Sequence, residues 1–388
     1  MIVYPNIYKK FKCIGGACNN TCCANWKITL DPGTKDYYFQ LDTDFGVFLR
    51  ENIYEENNMT LIRLTSDERC PFLDNKGLCQ VYQNCGPEHM SLTCQCFPRR
   101  SFSKGDNVMY SLSLSCEAVL QLLQDSSVPI EICIDGTVNW NRISDVSIYK
   151  LTQFIAWGTE LLQDSSVPFG IALGTVLYMG MEVEPYFKSQ DYTNLDNTML
   201  QAESIQKEFE LVKESIGKEE LENSGWQFIF QVIDAFYATL QQIPFPHTES
   251  LLWSEDIAKL SDSERKDYFR KSYLKYQAHR NEEQHLLFMR RMAALLFIGS
   301  SLGIEVQKGE EIFLQDICNF MLLAEILPAT RAATKTTNPN DCYPGLVDLS
   351  RLFQQSHNIS NYVWPIIKNL FSPDTLTYTL AFMTLFDE

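Results

Sequence analysis

The side chains able to do chemistry are concentrated in the first third of the chain, where cysteines recur at short, uneven gaps. Ten of the 13 cysteines lie there: Cys13, Cys18, Cys22, Cys23, Cys70, Cys79, Cys85, Cys94, Cys96 and Cys116. Thiolates are soft donors, and three groups of them separated in sequence are what a bound metal centre or an iron–sulfur cluster needs. Cys18, Cys22 and Cys23 sit close enough in one loop to give two or three sulfurs to a single centre. Asp74-Asn75-Lys76-Gly77 is a turn-forming stretch that brings Cys70 and Cys79 together as a knuckle does. Cys94 follows in the loop before Pro98-Arg99, and Cys116 ends a strand. A zinc ribbon prefers two CxxC pairs, and this chain has none. The CxxxCxxC loop of radical S-adenosylmethionine enzymes is also missed: Cys18 and Cys22 have the first gap, but Asn25 occupies the third position. An iron–sulfur site of irregular spacing is the best chemical reading, with zinc as the alternative.

Compartment decides how such cysteines are read. The N-terminus, MIVYPNIYKKFKC, has no apolar signal-peptide core, and the longest purely apolar run, Met292 to Ile298, is far short of a membrane span. The expectation is a cytoplasmic protein with no transmembrane span, and a reducing cytosol favours metal or redox roles over disulfides. An odd cysteine total with an adjacent pair, Cys22-Cys23, argues the same way. The net charge of −17 is uneven: residues 1–118 carry 12 basic against 13 acidic side chains, the remainder 20 against 36. So acidic a surface repels phosphate backbones, which argues against nucleic acid as a partner and is compatible with a lysine-bearing protein.

The elements that must position the cysteines are short at first. Trp26–Leu30, Met59–Leu64 and Asn107–Leu114 alternate like strands, and the apolar spacing from Thr34 to Arg50 predicts one amphipathic helix. From Glu117 the periodicity is helical: Glu117–Gln124, Asp145–Leu162, Trp226–Leu240, Glu282–Leu302, Glu310–Leu327 and a C-terminal helix opened by Ser372-Pro373. Thr198/Gln201 and Ser261/Glu264 read as capping boxes. The octapeptide LLQDSSVP occurs twice, at Leu122–Pro129 and Leu161–Pro168, each time as a helix end running into a loop. Arg290-Arg291 reads as a solvated or salt-bridged helix face, and Met289, Met292 and Phe297 as core. His279, Glu282, Glu283 and His285 lack HExxH spacing and read as a solvated face. The fold class expected is mainly α: an N-terminal cysteine-rich loop and short-strand module, residues 1–118, packed on a larger helical body, residues 119–388.

Four ordered motifs, FKCIGGACNNTCCANWKITLD, CPFLDNKGLCQV, LTCQCFPR and SLSLSC, resemble the flagellin lysine-N-methylases of FliB type, within the wider zinc- or iron-chelating CxxxCC (YkgJ-like) cysteine-rich group. The resemblance covers about residues 11 to 118. It implies a cytoplasmic enzyme that moves a methyl group from S-adenosylmethionine to lysine side chains of flagellin and requires an iron–sulfur cluster, of 4Fe–4S type. The family's cysteine positions match Cys13, Cys18, Cys22, Cys23, Cys70, Cys79, Cys94 and Cys116, while Cys85, Cys96, Cys133, Cys318 and Cys342 fall outside the pattern. The family tends to have Pro-Glu after the last of these; here Glu117 follows directly. Eight thiols exceed the four that one cluster needs.

A lysine must be neutral to accept a methyl group, so the site has to lower its pKa or remove its proton. No GxGxxG marks a Rossmann-type donor site. The donor is therefore expected where the cysteine module meets the helical body, an incompletely ligated iron taking its amino-acid end, Trp26 or another aromatic facing the sulfonium, and Arg99 pairing with its carboxylate. The competing readings are a non-enzymatic zinc, iron or iron–sulfur module with an interaction domain, and a radical-type protein-modifying enzyme with another target.

Overall fold

In the computed structural model, residues 1–24, 27–125, 128–240, 259–277, 282–302, 318–326, 343–355 and 375–387 are described. Among the described residues, seven short strands, 14 α-helices and a further helical stretch form two packed cores. The strands are β1 (Ile2–Pro5), β2 (Thr29–Leu30), β3 (Ile53–Glu56), β4 (Met59–Ile62), β5 (Arg99–Lys104), β6 (Asn107–Leu112) and β7 (Ile132–Asp135). Four make a sheet in the order β5-β6-β1-β7, with β1 parallel to β6 and the other pairs antiparallel; β2-β4-β3 make an antiparallel sheet of their own.

The smaller core gathers Ile28, Leu30, Tyr38, Leu49, Ile62, Phe72 and Val81 around Cys70. It is closed by α1 (Pro32–Gln40) and α2 (Asp44–Glu51), where sequence spacing predicts a single helix over Thr34 to Arg50. The break has a local cause: Asp31 caps α1 by accepting from the Thr34 amide at 3.0 Å, and Thr43 starts a second helix by accepting from the Gly46 amide at 3.0 Å. Arg50 then ties the corner, donating to the carbonyls of Tyr38 and Leu41 at 3.0 and 2.9 Å. The apolar spacing runs on across this corner, which hides it from a periodicity reading.

The larger core belongs to the helical body. It also takes in Val3, Ile7 and Phe11 from the start of the chain and Met109, Leu112 and Leu114 from β6 and the residues after it. Its helices include α5 (Glu117–Asp125), α6 (Ile143–Gln163), α7 (Phe169–Ser189), α8 (Leu195–Met199), α9 (Ala202–Ser215) and α10 (Lys218–Leu240). They continue with α11 (Asp262–Gln277), α12 (Glu282–Ser301), α13 (Tyr343–Gln355) and α14 (Thr375–Phe386), while 318–326 is also helical. Met289, Met292 and Phe297 of α12 are buried, as their spacing implies. α14 lies against α7 so closely that a Cβ on Gly170 would stand 2.7 Å from the Met383 nitrogen, which leaves room only for glycine. Among the described residues no helix is long and apolar enough to cross a membrane.

Two start signals divide. Ser261 and Glu264 form the reciprocal box, the Ser261 amide donating to Glu264 at 2.9 Å and the Glu264 amide to Ser261 Oγ at 3.4 Å. Thr198 does not cap: it lies inside α8 with its hydroxyl 3.0 Å from Tyr186 Oη, and α9 begins after Gln201 with no side-chain cap. Glu310–Gln315, Ser372-Pro373 and His279 lie outside the described residues. His285, expected on a solvated face, is half-buried and 2.7 Å from the buried carboxylate of Glu325.

Arg290 and Arg291 are not a solvated face; each is 4% exposed. Arg290 donates to the carbonyls of Leu162, Asp164 and Val167 at 3.1, 2.8 and 2.6 Å, and Arg291 to that of Leu123 at 3.1 Å. Leu123 and Leu162 are the same position in the two copies of LLQDSSVP. Consecutive arginines of α12 thus hold the ends of α5 and α6, where backbone carbonyls lack helical partners and the helix dipole favours positive charge. Arg290→Met strips the donor from three carbonyls and should lower the unfolding free energy by about 2–4 kcal/mol; Arg291→Met, which strips one, should cost about 1–2 kcal/mol. Urea midpoints of the two variants check this, and equal losses would reject the assignment.

Candidate metal centre

The loop from Cys13 to Cys23 has little regular structure, so its shape is set by what it touches. Phe11, just before it, is buried in the larger core. Gly15 takes a left-handed φ of 55°, and a side chain on Gly16 would collide with the Lys76 carbonyl, so the loop rests on the Asp74–Gly77 turn. That turn is the expected knuckle: Asp74 Oδ1 accepts from the amides of Lys76 and Leu78, both at 2.8 Å, and Leu73 bridges to Cys79. The Cys70 amide donates to the Cys23 carbonyl at 2.8 Å, beside an Ala24–Arg69 bridge, which joins the first cysteine group to the second. Cys79 precedes α3 (Gln80–Cys85), and Cys94 lies in α4 (Leu92–Cys96), whose start is capped by Ser91.

The helical body grips the loop from the other side. Glu117, first residue of α5 and 5% exposed, accepts from the Asn20 amide at 2.7 Å, from Asn19 Nδ2 at 3.3 Å and from the Cys18 thiol at 3.4 Å. Arg351 of α13 donates to the carbonyls of Asn20 and Thr21 at 2.6 and 3.0 Å. Ser115 and Ser350 add a hydroxyl contact at 3.2 Å. Neither charged residue carries a sequence signal for this role: Glu117 is visible only as the residue after Cys116, and Arg351 is remote in sequence from the loop it holds.

The result is a cavity of about 790 Å³ whose wall includes Cys13, Cys18, Cys22, Cys23, Cys70, Cys79, Cys94 and Cys116. These are the eight positions expected as metal ligands; Cys85, Cys96, Cys133 and Cys318 do not line it, and Cys342 is outside the described residues. All 12 described cysteines are free thiols. Arg99, at the start of β5, lines the same cavity, its guanidinium 5.0 Å from the Phe11 ring centre and 5.7 Å from that of Tyr8. Trp26, the other residue expected to contact the donor, lies outside the described residues.

Burial pushes the Cys18 and Cys94 thiols up to about 12 and raises Cys70, Cys79 and Cys116. Backbone amides work against it: those of Asn20, Phe72, Val81 with Tyr82, and Ala118 with Val119 donate to the sulfurs of Cys18, Cys70, Cys79 and Cys116 respectively. A donor aimed at sulfur stabilises its anionic form. The Cys22 thiol donates to Cys23, which lowers the Cys23 thiol with help from Thr21 and the charges of Arg69 and Arg351; the same bond, together with burial, raises Cys22. Thiols that are costly to ionise alone, held by amide donors and nearby arginines, are suited to a thiophilic cation that displaces their protons. Among the described residues no three Cys, His, Asp or Glu side chains stand in the arrangement that holds a single metal ion.

No family model matches the chain, and no solved structure matches it. Among curated proteins it is similar to the "Lysine-N-methylase" of Salmonella typhimurium, 37% identical over 131 residues, 32% of this chain and 33% of that protein. The "Lysine-N-methylase" of Salmonella choleraesuis gives the same values. The "Flagellar biosynthetic protein FliU" of Salmonella muenchen is 37% identical over 131 residues, which is 78% of its length. The match spans about a third of the length of the two lysine-N-methylases.

The clamp on the loop has a direct test. Glu117→Ala removes the acceptor for two amide donors and should lower the unfolding free energy by about 2–3 kcal/mol. It should also raise the rate of limited proteolysis within residues 13–23, as should Arg351→Met. Unchanged cleavage in both variants would show that the body does not hold the loop.

Proposed function

Since the chain belongs to the family of FliU and the lysine-N-methylases, we propose that it is a protein lysine N-methyltransferase that acts on flagellin in the cytoplasm, takes its methyl group from S-adenosylmethionine and carries an iron–sulfur cluster. The observation that carries this reading is the convergence of all eight expected cysteines, with Arg99, on one cavity at the seam of the two cores. Its volume suits a ligand of several hundred daltons.

The donor set fits an iron–sulfur group: thiols that, apart from the exposed Cys13, are partly or fully buried, amides directed at sulfur, and arginines nearby to offset thiolate charge. Cys13, Cys18, Cys22, Cys23, Cys70, Cys79, Cys94 and Cys116 are the residues that would hold it. When bound, such a cluster supplies an electron or an open iron position to a neighbouring ligand.

The remaining work falls to the chain. Arg99 has no acidic partner among the described residues, and its guanidinium is steadied by two aromatic faces. A planar fork presented in that way suits the carboxylate of the donor's amino-acid end. Aromatic walls at Tyr38, Phe72 and Phe97 offer faces to a sulfonium. The same apolar lining, with Ile28 and Phe11, favours the neutral form of a lysine amine that enters, because a buried ammonium is penalised. The acidic remainder of the chain attracts a lysine-bearing protein at long range.

An anaerobic preparation should be brown and should methylate purified flagellin lysines when given S-adenosylmethionine, read by mass spectrometry. Stoichiometric zinc with no methyl transfer would favour a chelating module instead. Arg99→Ala should weaken donor binding by about 10- to 100-fold, the loss of a charge-assisted hydrogen-bond pair, with iron content unchanged. Unaltered donor affinity in that variant would remove Arg99 from the site.

A further inference from the structure

We propose that Glu88, with Tyr82 and Leu78 beside it, receives the lysine side chain of the substrate protein at the outer edge of the cavity. The proposal rests on the methyltransferase reading above and adds to it the group that recognises the substrate; it needs neither the thiols nor a metal.

Two carboxylates line the cavity, Glu88 and Glu117. Glu117 is buried and already accepts from Asn20, Asn19 and Cys18. Glu88 differs on both counts. Its side chain is 67% exposed, and the nearest basic group given to it is His89 Nε2 at 3.8 Å, beyond hydrogen-bond reach. A carboxylate with open acceptor positions suits an ammonium, which brings three donors.

Exposed as it is, Glu88 does not swing freely. Gly86 takes a left-handed φ of 93°, and a Cβ there would stand 2.7 Å from both carboxylate oxygens, so the side chain is folded back over the one residue type that leaves room for it. Pro87 opens the 3-10 turn Pro87–His89. Gln95 of α4 donates to the carbonyls of Glu88 and Met90 at 3.3 and 2.6 Å, and the His89 ring stacks on Tyr37 of α1 at 3.7 Å. A group held by two other elements gives up less freedom when it binds.

The rest of the edge is apolar. Tyr82 and Leu78 line the cavity and are also 55% and 38% exposed, and the Gly86 amide on the Tyr82 carbonyl at 3.2 Å brings the glutamate turn against the end of α3. A lysine has a four-carbon stem that packs on such faces and a charged head that does not. The stem lies on Tyr82 and Leu78, and the head meets Glu88 before it passes to the apolar interior.

A short peptide carrying one lysine, and its twin with norleucine in that place, separate the two contacts by equilibrium binding without donor. Wild type should hold the lysine peptide about three- to tenfold tighter, a preference that fades with added salt. Glu88→Gln should bind the two alike, and Tyr82→Ala should weaken both and keep their ratio. Glu208→Gln, an exposed carboxylate of α9, should leave the ratio unchanged. In methyl transfer to flagellin, Glu88→Gln should raise KM by the same factor with kcat and S-adenosylmethionine affinity unaltered. Equal binding of the twins by wild type, a preference that survives Glu88→Gln, or a fall in kcat with KM unchanged overturns the proposal. Retained lysine preference with no methyl transfer by wild type overturns the methyltransferase reading and leaves the lysine-receiving edge standing.

Discussion

A buried carboxylate and a buried guanidinium from the helical body hold a loop that cannot hold itself. Residues 13 to 23 contain a single short 3-10 turn, and their polar backbone groups need partners. Glu117 supplies an acceptor to Asn20 and Asn19, and Arg351 supplies donors to the carbonyls of Asn20 and Thr21. Four cysteines are carried on this loop. Their positions therefore depend on residues of the large core, and the site exists only while the two cores are packed together.

That arrangement also sets the electrostatics. Drawing thiols out of water raises the cost of ionising them, which is visible at Cys18, Cys70 and Cys94. The opposing contributions come from fixed groups: amides at helix starts and turns, and arginines at positions 69 and 351. Fixed dipoles need not reorganise when a charge forms among them, so the cavity is prepared for anionic sulfur before any partner binds.

The cysteine set was legible because thiol chemistry is carried by residue type and spacing, and the DNKG turn because Asp and Gly have specific backbone roles. Ser261/Glu264 was legible for the same reason, since both halves of the box lie within one turn. What was not legible depends on distance or on burial. Thr198 has the right letters, but its hydroxyl is taken by Tyr186, a tertiary neighbour. Arg290 and Arg291 look like surface because arginine usually is, and only the carbonyls of α5 and α6 reveal their use. Sheet order was equally hidden: β7 joins β1 from across the start of the helical body, so the N-terminal strand is part of the large core.

The repeated octapeptide shows how far the site's support extends. Both copies end a helix, and both present a carbonyl at the same position to one of two consecutive arginines on α12, so the repeat reflects a shared docking task without a duplicated domain. One of those helices is α5. Its C-terminal end is held by Arg291 and its N-terminal residue is Glu117, which holds the cysteine loop. At about 1.5 Å per residue a nine-residue helix is a strut roughly 13 Å long. A rigid strut gripped at both ends transmits position, and Cys116 sits immediately before its first residue. Through α5, the buried Arg291 of α12 fixes where the last cysteine of the cavity stands.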